Sequence, residues 1–295
     1  FLFMEIVIDN LSKRYGKKEA IKNLSLKIPS GMYGLLGRNG AGKTSLTQIL
    51  AALSVPTNGD IWLNGVSIKE TAKIREMVGY LPQDFSMYRS MTVLGAMDYL
   101  GLLSDIPKEI RKERIDELLE KVNLKDNAKT KIKALSGGMK RRLGIAQALL
   151  HNPQILIVDE PTAGLDPEER IRFRNLLSDF ADDRIVLLST HIASDIESIC
   201  DGVAVLNDGK LIFHGSTEEL IRQADGKVYL ITASKELDRH IKEKYVCLNM
   251  SNTRTGIQYR ILSDTPPKEK GKIQSPTLED GYMYLLHQIE GGVRP

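Results

Sequence analysis

The chain has 295 residues, 42% of them hydrophobic and 27% charged, which is typical of one large globular domain or of one domain with a smaller appendage. Its formal net charge of +3 arises from 41 basic and 38 acidic residues, so nucleic-acid binding is not expected from charge. No apolar run approaches the roughly 18–20 residues that span a bilayer. The two cysteines, Cys200 and Cys247, form no disulfide framework, which fits a reducing cytoplasm.

Short apolar or alternating runs predict antiparallel β-structure over residues 1–35. These runs are Ile6–Ile8, Leu24–Ile28 and Met32–Leu36. A helix is predicted from about Gly42 to about Leu53. The next strand, Asp60–Leu63, is followed by Asn64-Gly65, which is a strong hairpin signal.

The middle of the chain combines helices with fully apolar strands. The pattern is helical from about Thr92 to Asn123, with one interruption near Pro107. Ile155–Asp159 and Arg184–Ser189 are continuous apolar strands. Because such strands are buried on both faces, they predict the centre of a parallel sheet covered by helices.

After about Ala224 the pattern predicts a small appended α/β element over residues 226–295. Strands are predicted at Lys227–Thr232 and Tyr245–Met250, with a charged helix, Lys235–Lys244, between them. Arg254–Ile261 is predicted to pair with the preceding strand across Ser251–Thr253. A linker, Ser263–Lys272, leads to an amphipathic helix, Thr277–Gln288.

The strongest motif is Gly37-Arg38-Asn39-Gly40-Ala41-Gly42-Lys43-Thr44, which matches G-x-x-x-x-G-K-[ST]. Glycines let backbone N–H groups approach phosphate oxygens, and the following helix adds its N-terminal dipole. Lys43 reaches the β- and γ-phosphates, and the Thr44 hydroxyl ligates Mg²⁺. A chance Gly-rich turn is the alternative, but a predicted strand and helix flank this one. The residues predicted to contact a nucleotide are Gly37, Asn39, Gly40, Ala41, Gly42, Lys43, Thr44 and Ser45.

Two carboxylates, Asp159 and Glu160, end the apolar strand Ile155–Val158. Asp159 is predicted to hold the Mg²⁺ shell, and Glu160, one residue further, is the candidate general base for the attacking water. Taken alone, the pair better fits two acids that merely end a strand. The phosphate-binding loop in the same chain favours the catalytic interpretation.

A second candidate anion site is Leu135-Ser136-Gly137-Gly138-Met139, which precedes a helix that runs to about Leu150. Ser136 resembles an N-cap, and the glycine pair exposes backbone N–H groups at the positive end of the helix. An ordinary helix start with a flexible entry is the alternative.

Six motifs in order resemble the nucleotide-binding subunit of an ATP-binding cassette (ABC) transporter. They are Tyr15, Gly37–Thr44, Gln83, Leu135–Met139, Asp159–Glu160 with Gly164-Leu165-Asp166, and His191. The resemblance covers about residues 5–225. It implies an α/β fold with a P-loop NTPase core and mixed sheet, an antiparallel β subdomain and a helical subdomain at about 84–152. The predicted domains are therefore an ATPase domain, 1–225, and a C-terminal accessory region, 226–295.

The resemblance also implies a head-to-tail dimer with a second copy or a paralogue. Two ATP molecules would lie between the loop of one cassette and Ser136, Gly137 and Gly138 of the other. Integral membrane transporter subunits are the implied further partners, and the location is cytoplasmic, at the inner face of the cell membrane. The helical insert after Gln83, about residues 84–130, would carry the coupling surface.

Four residues take roles from the resemblance alone. Tyr15 would stack on adenine, and Gln83 would touch Mg²⁺ and water beside the membrane subunits. Asp166 would contact the opposite active site, while His191 would sense the γ-phosphate and orient Glu160. Considered singly, Tyr15 also fits a strand-end packing residue, Gln83 a solvated loop residue and His191 a structural group.

The signature segment departs from the family at Met139, where Gln is most common; a thioether loses the amide's hydrogen bonds but keeps its volume. The Met-Lys-Arg-Arg continuation and Pro276-Thr277-Leu278-Glu279-Asp280 resemble the ABC-2-type exporter class, whose membrane subunits are separate chains. The hypothesis is an ATPase that dimerises on ATP and drives export. The alternatives are a non-transport ABC ATPase that acts on nucleic acid or the ribosome, and a regulatory ATPase module.

Overall fold

The computed structural model describes residues 4–162, 165–234, 237–254, 256–269 and 271–291. The chain divides into two compact units, Phe1–His214 and Gly215–Pro295. In the described residues, no helix is both long enough and apolar enough to cross a membrane.

Strands and helices alternate through most of the first unit after its opening strands. The strands are β1 Glu5–Tyr15, β2 Lys18–Pro29, β3 Gly31–Leu36, β4 Asn58–Leu63, β5 Val66–Ser67, β6 Val78–Leu81, β7 Ile155–Asp159, β8 Ile185–Thr190, β9 Gly202–Asn207 and β10 Lys210–Ser216. The helices are α1 Lys43–Leu50, α2 Thr71–Met77, α3 Val93–Leu103, α4 Lys108–Lys121, α5 Gly137–Leu149, α6 Pro167–Ala181 and α7 Ala193–Glu197.

Two sheets organise these elements among the described residues. One has the order β2-β1-β4-β5 and is antiparallel; the other has the order β10-β9-β3-β8-β7-β6, with parallel pairing from β9 to β6. One core cluster includes Leu11 of the first sheet, Leu46 of α1 and Ile157 of the second. Helix α1 therefore packs in the same core as both sheets, and the predicted α/β fold with central parallel strands β7 and β8 is confirmed.

The assignment of Met32–Leu36 to antiparallel β-structure was wrong. These residues belong to β3, which lies between β8 and β9 and pairs with both in parallel. The reason is two-sided burial, since Met32 to Leu36 are all buried. The chain changes sheets at Gly31, whose φ of 102° needs glycine.

Other boundaries follow from local backbone chemistry. Helix α1 ends at Leu50 rather than near Leu53, because the chain turns through a left-handed Ala52 with φ 53°. The predicted hairpin at Asn64-Gly65 is confirmed by the antiparallel pair β4–β5. The interruption near Pro107 separates α3 from α4, as expected. Helices α2, α6 and α7 and strands β6, β9 and β10 were not predicted.

The second unit contains the sheet β12-β13-β11-β14 and three helices among its described residues. Its elements are α8 Thr217–Arg222, β11 Val228–Ala233, α9 Asp238–Lys244, β12 Val246–Thr253, β13 Gly256–Leu262, β14 Lys272–Ile273 and α10 Leu278–Ile289. A Cβ added at Gly281 of α10 would lie 2.1 Å from the Leu220 carbonyl oxygen, so α8 packs tightly against α10. Because α8 precedes residue 225 and packs against α10, the boundary predicted after residue 225 lies inside this unit.

The turn of the second unit's hairpin differs from expectation. Ser251–Thr253 belong to β12, and Thr253 pairs with Gly256 at the start of β13. The predicted turn at Ser251–Thr253 was therefore placed too early, because these polar residues continue the pairing of β12 with β13.

The motif Pro276–Asp280 has a visible structural role. Thr277 is the N-cap of α10, and its hydroxyl accepts from the Asp280 N–H in a capping box. The Asp280 carboxylate, which is 2% exposed, also accepts from Arg260 Nε of β13 at 3.0 Å. The motif thus attaches the last helix to the sheet of the second unit.

Candidate functional site

The predicted phosphate-binding loop lies between β3 and α1. A Cβ at Gly37 would come within 2.5 Å of the Leu206 carbonyl oxygen, and one at Gly42, with φ 106°, within 2.5 Å of the Ala20 carbonyl oxygen. Real Cβ atoms do not approach oxygen that closely, so both positions require glycine. Strands β2 and β9 therefore determine the course of the loop.

The side chain of Lys43 folds back over the loop. Its ammonium donates to the Gly37 carbonyl oxygen at 2.7 Å and lies 3.3 Å from Glu160 Oε1. Lys43 is 6% exposed, and a buried ammonium needs such partners. A phosphate bound by the loop would compete with these two acceptors for the ammonium group.

Asp159 ends β7 and is fully buried. Its Oδ1 accepts from Ser189 Oγ at 2.7 Å, and its Oδ2 lies 3.4 Å from Thr47 Oγ1. Burial raises the pKa of Asp159, an effect that hydrogen bonds from the side chains of Ser189 and Thr44 oppose. A divalent cation beside this carboxylate would favour its charged form.

Glu160 is hydrogen-bonded at both its carboxylate and its backbone N–H. Its Oε2 bonds to His191 Nδ1 at 2.8 Å, and its backbone N–H donates to the Ser189 carbonyl oxygen at 2.8 Å. When the Glu160 carboxylate is ionised it only accepts, so Nδ1 then carries the proton in this bond. Within the described residues, the buried Oε1 has no hydrogen-bond partner, although Lys43 lies at ion-pair distance.

The backbone of Glu160 is strained. Its φ is 47°, in the left-handed region that costs a residue with a side chain about 1–2 kcal/mol. Such strain persists only where neighbouring contacts determine the conformation. The geometry turns the Glu160 side chain towards Lys43 and His191, immediately after the strand that ends in Asp159.

Tyr15 and Gln83 occupy exposed strand ends. Tyr15 is 47% exposed and lies in the hairpin to β2, the strand whose Ala20 contacts Gly42. Gln83 follows β6, in which Leu81 pairs with Val158 of β7. Asp159 ends β7, the parallel neighbour of β6. Gln83 and Asp159 therefore lie at the same edge of the sheet, where ligands of α/β folds bind.

Asp166 is exposed and caps α6, because its Oδ1 accepts from the Glu169 N–H at 2.9 Å. This contact shows a helix-capping role within one chain. Gly164 of the predicted Gly164-Leu165-Asp166 motif lies outside the described residues.

The second candidate anion site is on a different element, the start of α5. Ser136 caps the helix by accepting from the Met139 N–H at 3.2 Å. Since the cap uses the backbone of Met139, replacement of the usual Gln leaves this contact unchanged. A Cβ at Gly137 would meet nothing within 4 Å, so its backbone is open to a ligand. A Cβ at Gly138 would lie 3.3 Å from Glu169 Oε2 of α6.

The residues fit Mg²⁺ bound together with a nucleotide. Thr44, Asp159 and Gln83 supply oxygen atoms only, which Mg²⁺ prefers, and Asp159 is a buried carboxylate. In the described residues, no group of three or more His, Cys, Asp or Glu side chains could hold a metal ion. The protein therefore offers an incomplete ligand set that phosphate oxygens and water would complete.

Two residues of the site, Thr47 and Ser189, were not predicted. Their hydroxyl groups lie beside the Asp159 carboxylate. The position of Ser189 in the sequence could have indicated a site residue, because it ends the predicted strand Arg184–Ser189, which was expected to lie in the same parallel sheet as Ile155–Asp159. The register places Asp159 opposite Ser189. Thr47 lies one turn into α1, where a polar side chain on a buried face marks a contact with the site.

Comparisons with known proteins agree with this geometry. The sequence profile described as ABC transporter matches residues 21–163. The ABC transporter ATP-binding protein YxlF of Bacillus subtilis is 40% identical over 238 residues, covering 80% of this chain and 79% of the relative. A Nod factor export ATP-binding protein I of Ralstonia nicotianae is 36% identical, covering 74% and 69%. A methionine import ATP-binding protein MetN of Carboxydothermus hydrogenoformans is 38% identical, covering 71% and 66%.

A solved dimeric bacterial ABC transporter cassette shares the fold with a TM-score of 0.66 and 28% identity, covering 72% of this chain and 98% of that one. The strand–loop–helix junction at Gly37–Thr44, the acids that end β7 and the extent of these matches lead to one assignment. The chain belongs to the ATP-binding proteins of the ABC transporter family.

Proposed function

We propose that this chain hydrolyses ATP and that two copies, or one copy and a paralogue, close around ATP to drive separate membrane subunits. The observation that carries the proposal is the position of Glu160, a buried carboxylate between Lys43 and His191 that directly follows Asp159.

The chemistry follows from these contacts. Lys43 exchanges the Gly37 carbonyl oxygen and Glu160 for phosphate oxygens when ATP binds. This exchange leaves Glu160 Oε1 able to accept a proton from water, while His191 keeps Oε2 in place. Thr44, Asp159 and Gln83 would hold Mg²⁺, which would compensate the negative charge of the phosphates.

Dimerisation is supported by the separation of two anion sites on different elements of one chain. The loop opens α1, whereas Ser136, Gly137 and Gly138 open α5 beside α6. A head-to-tail pair brings the α5 site of one copy to the loop of the other, and Asp166 and Tyr15 take their predicted roles in that assembly. The solved cassette that shares the fold is dimeric, which supports dimerisation.

Export through integral membrane subunits at the inner face of the cell membrane is the proposed biological role. It is supported by Met139 and by the Pro276–Asp280 motif, both of which resemble ABC-2-type exporters. The names of the relatives include both Nod factor export and methionine import. The proposed direction of transport therefore rests on Met139 and the Pro276–Asp280 motif.

The substitution Glu160→Gln tests the catalytic proposal. Loss of a general base lowers turnover by about 10²–10⁴-fold. ATP binding should persist, because Lys43 and the loop backbone are unchanged. A stable dimer should then accumulate in the presence of ATP. Steady-state phosphate release, calorimetry and size-exclusion chromatography with ATP measure the three quantities. Glu243→Gln, an exposed carboxylate of α9 paired with Arg239, is the matched control. Turnover in Glu160→Gln equal to that of the control would remove Glu160 from the role of base.

Affinity capture from detergent-solubilised membranes tests the partners. A multi-spanning membrane protein should be recovered together with this chain. Recovery with ribosomes or DNA instead would favour the non-transport ABC ATPase and contradict the transport proposal.

A further inference from the structure

A buried carboxylate outside the predicted site connects three segments of the first unit. Asp195 of α7 is 1% exposed, and its two oxygens have different partners. Oδ2 accepts from the Thr162 hydroxyl, and Oδ1 accepts from Arg174 Nη2 of α6 at 2.9 Å. Thr162 is itself 2% exposed. A buried charge with two such bonds has few alternative positions, so it fixes its partners relative to one another.

The three segments are those that carry the proposed chemistry. Thr162 lies two residues after Glu160, and α7 begins two residues after His191. Arg174 belongs to the helix that Asp166 caps. A single side chain therefore joins the segment of the proposed base, the segment of its histidine partner and the helix after Asp166.

This connection matters because the Glu160–His191 contact depends on a strained backbone. The left-handed φ of Glu160 is not fixed by glycine, so it must be fixed by contacts on both sides. The Ser189 carbonyl oxygen binds the Glu160 N–H on one side. The Thr162–Asp195 bond anchors the chain on the other side. A catalytic group displaced by about 1 Å loses on the order of 10²-fold in rate.

We propose that Asp195 is a positioning residue for hydrolysis, which sets the geometry of Glu160 and His191 through Thr162 and Arg174. This inference rests on the proposed function for its effect on rate. Its effect on the Glu160–His191 contact does not depend on hydrolysis.

The experiment compares Asp195→Asn with Asp280→Asn in the full chain. Both substitutions remove the charge of a buried Asp–Arg pair, since Asp280 is 2% exposed and paired with Arg260, but the second lies in the other unit. The imidazole ¹⁵N resonances of the five histidines can be recorded, with His191 assigned from the spectrum of His191→Asn. ATP turnover, KM and ATP affinity are measured on the same samples.

In Asp195→Asn we expect the His191 resonance to shift and kcat to fall at least tenfold, with ATP affinity within about twofold of wild type. In Asp280→Asn both should remain at wild-type values. If Asp195→Asn does not fold, Thr162→Val removes the hydroxyl bond while leaving the Asp195–Arg174 pair intact, and the same changes are expected.

An unshifted His191 resonance in these variants overturns the inference, because the residue then only stabilises the fold. A loss of ATP affinity with unchanged kcat also overturns it. A wild-type chain without ATPase activity, together with a shifted His191 resonance, would refute the proposed function and leave the positioning role supported.

Discussion

Two of the three glycines of the phosphate-binding loop, Gly40 and Gly42, should respond differently to alanine. Both have left-handed backbones, with φ 85° at Gly40 and 106° at Gly42. The strain for an L-residue there is about 1–2 kcal/mol, reduced by about 0.4–1 kcal/mol through the lower entropy of the unfolded chain. A Cβ at Gly40 meets nothing within 4 Å, whereas one at Gly42 lies 2.5 Å from a backbone oxygen, which adds about 1–3 kcal/mol of overpacking.

We therefore expect Gly40→Ala to lower the free energy of unfolding by about 1 kcal/mol and Gly42→Ala by about 2–4 kcal/mol. Trp62 of β4 is the single tryptophan, so its fluorescence reports unfolding of the first unit in urea. With a slope of about 2–3 kcal/mol per molar urea, the midpoint of Gly42→Ala should be about 1–2 M lower than that of wild type. Equal midpoints for the two variants would refute the claim that close backbone contact with Ala20 determines the path of the loop.

Two further predictions concern single side chains. Lys43→Ala should weaken ATP binding by about 10–100-fold in calorimetry, because it removes a charged donor to phosphate. The control Lys121→Ala, at an exposed lysine, should bind ATP with wild-type affinity. Equal ATP affinities of the two variants would exclude Lys43 from the nucleotide site. Burial raises the pKa of the Cys200 thiol above its ordinary value, so at pH 8 a thiol reagent should not modify Cys200 until urea unfolds the chain. The half-buried Cys247 should react first. Reaction of Cys200 in the folded protein would show that the core around it opens.

The parts of the fold that the sequence made predictable are those in which one signal dominates. The apolar run Ile155–Val158 could only be a central strand, and Asn64-Gly65 determined the β4–β5 hairpin. Met32–Leu36 had the same two-sided apolar character as β7, but its place after two antiparallel strands outweighed that signal. Helix α6 was missed because its apolar positions, such as Phe173 and Leu177, are sparse among charged residues.

Site residues were predictable when a motif fixed both type and spacing, as at Gly37–Thr44. Those that act through tertiary contacts were not. Asp195 has no distinguishing neighbours in the sequence, and the strand end that marks Ser189 does not identify its partner. The hydrogen-bond partners of Ser189 and Asp195 lie 30 and 33 residues away along the chain. Only parallel pairing of β7 with β8, and the packing of α7, bring them to Asp159 and Thr162.

Glu160 shows most clearly why residue identity and conformation carry different information. A positive φ is usually expected at Gly or Asn, and here a glutamate adopts 47°. The strain is tolerated because the same conformation gives Glu160 three partners, with Lys43 and His191 at its carboxylate and Ser189 at its amide. A glycine would adopt this backbone without strain but would lack the carboxylate. The proposed chemistry therefore requires a side chain at a position where the backbone conformation favours glycine. The surrounding contacts stabilise the strained conformation of Glu160.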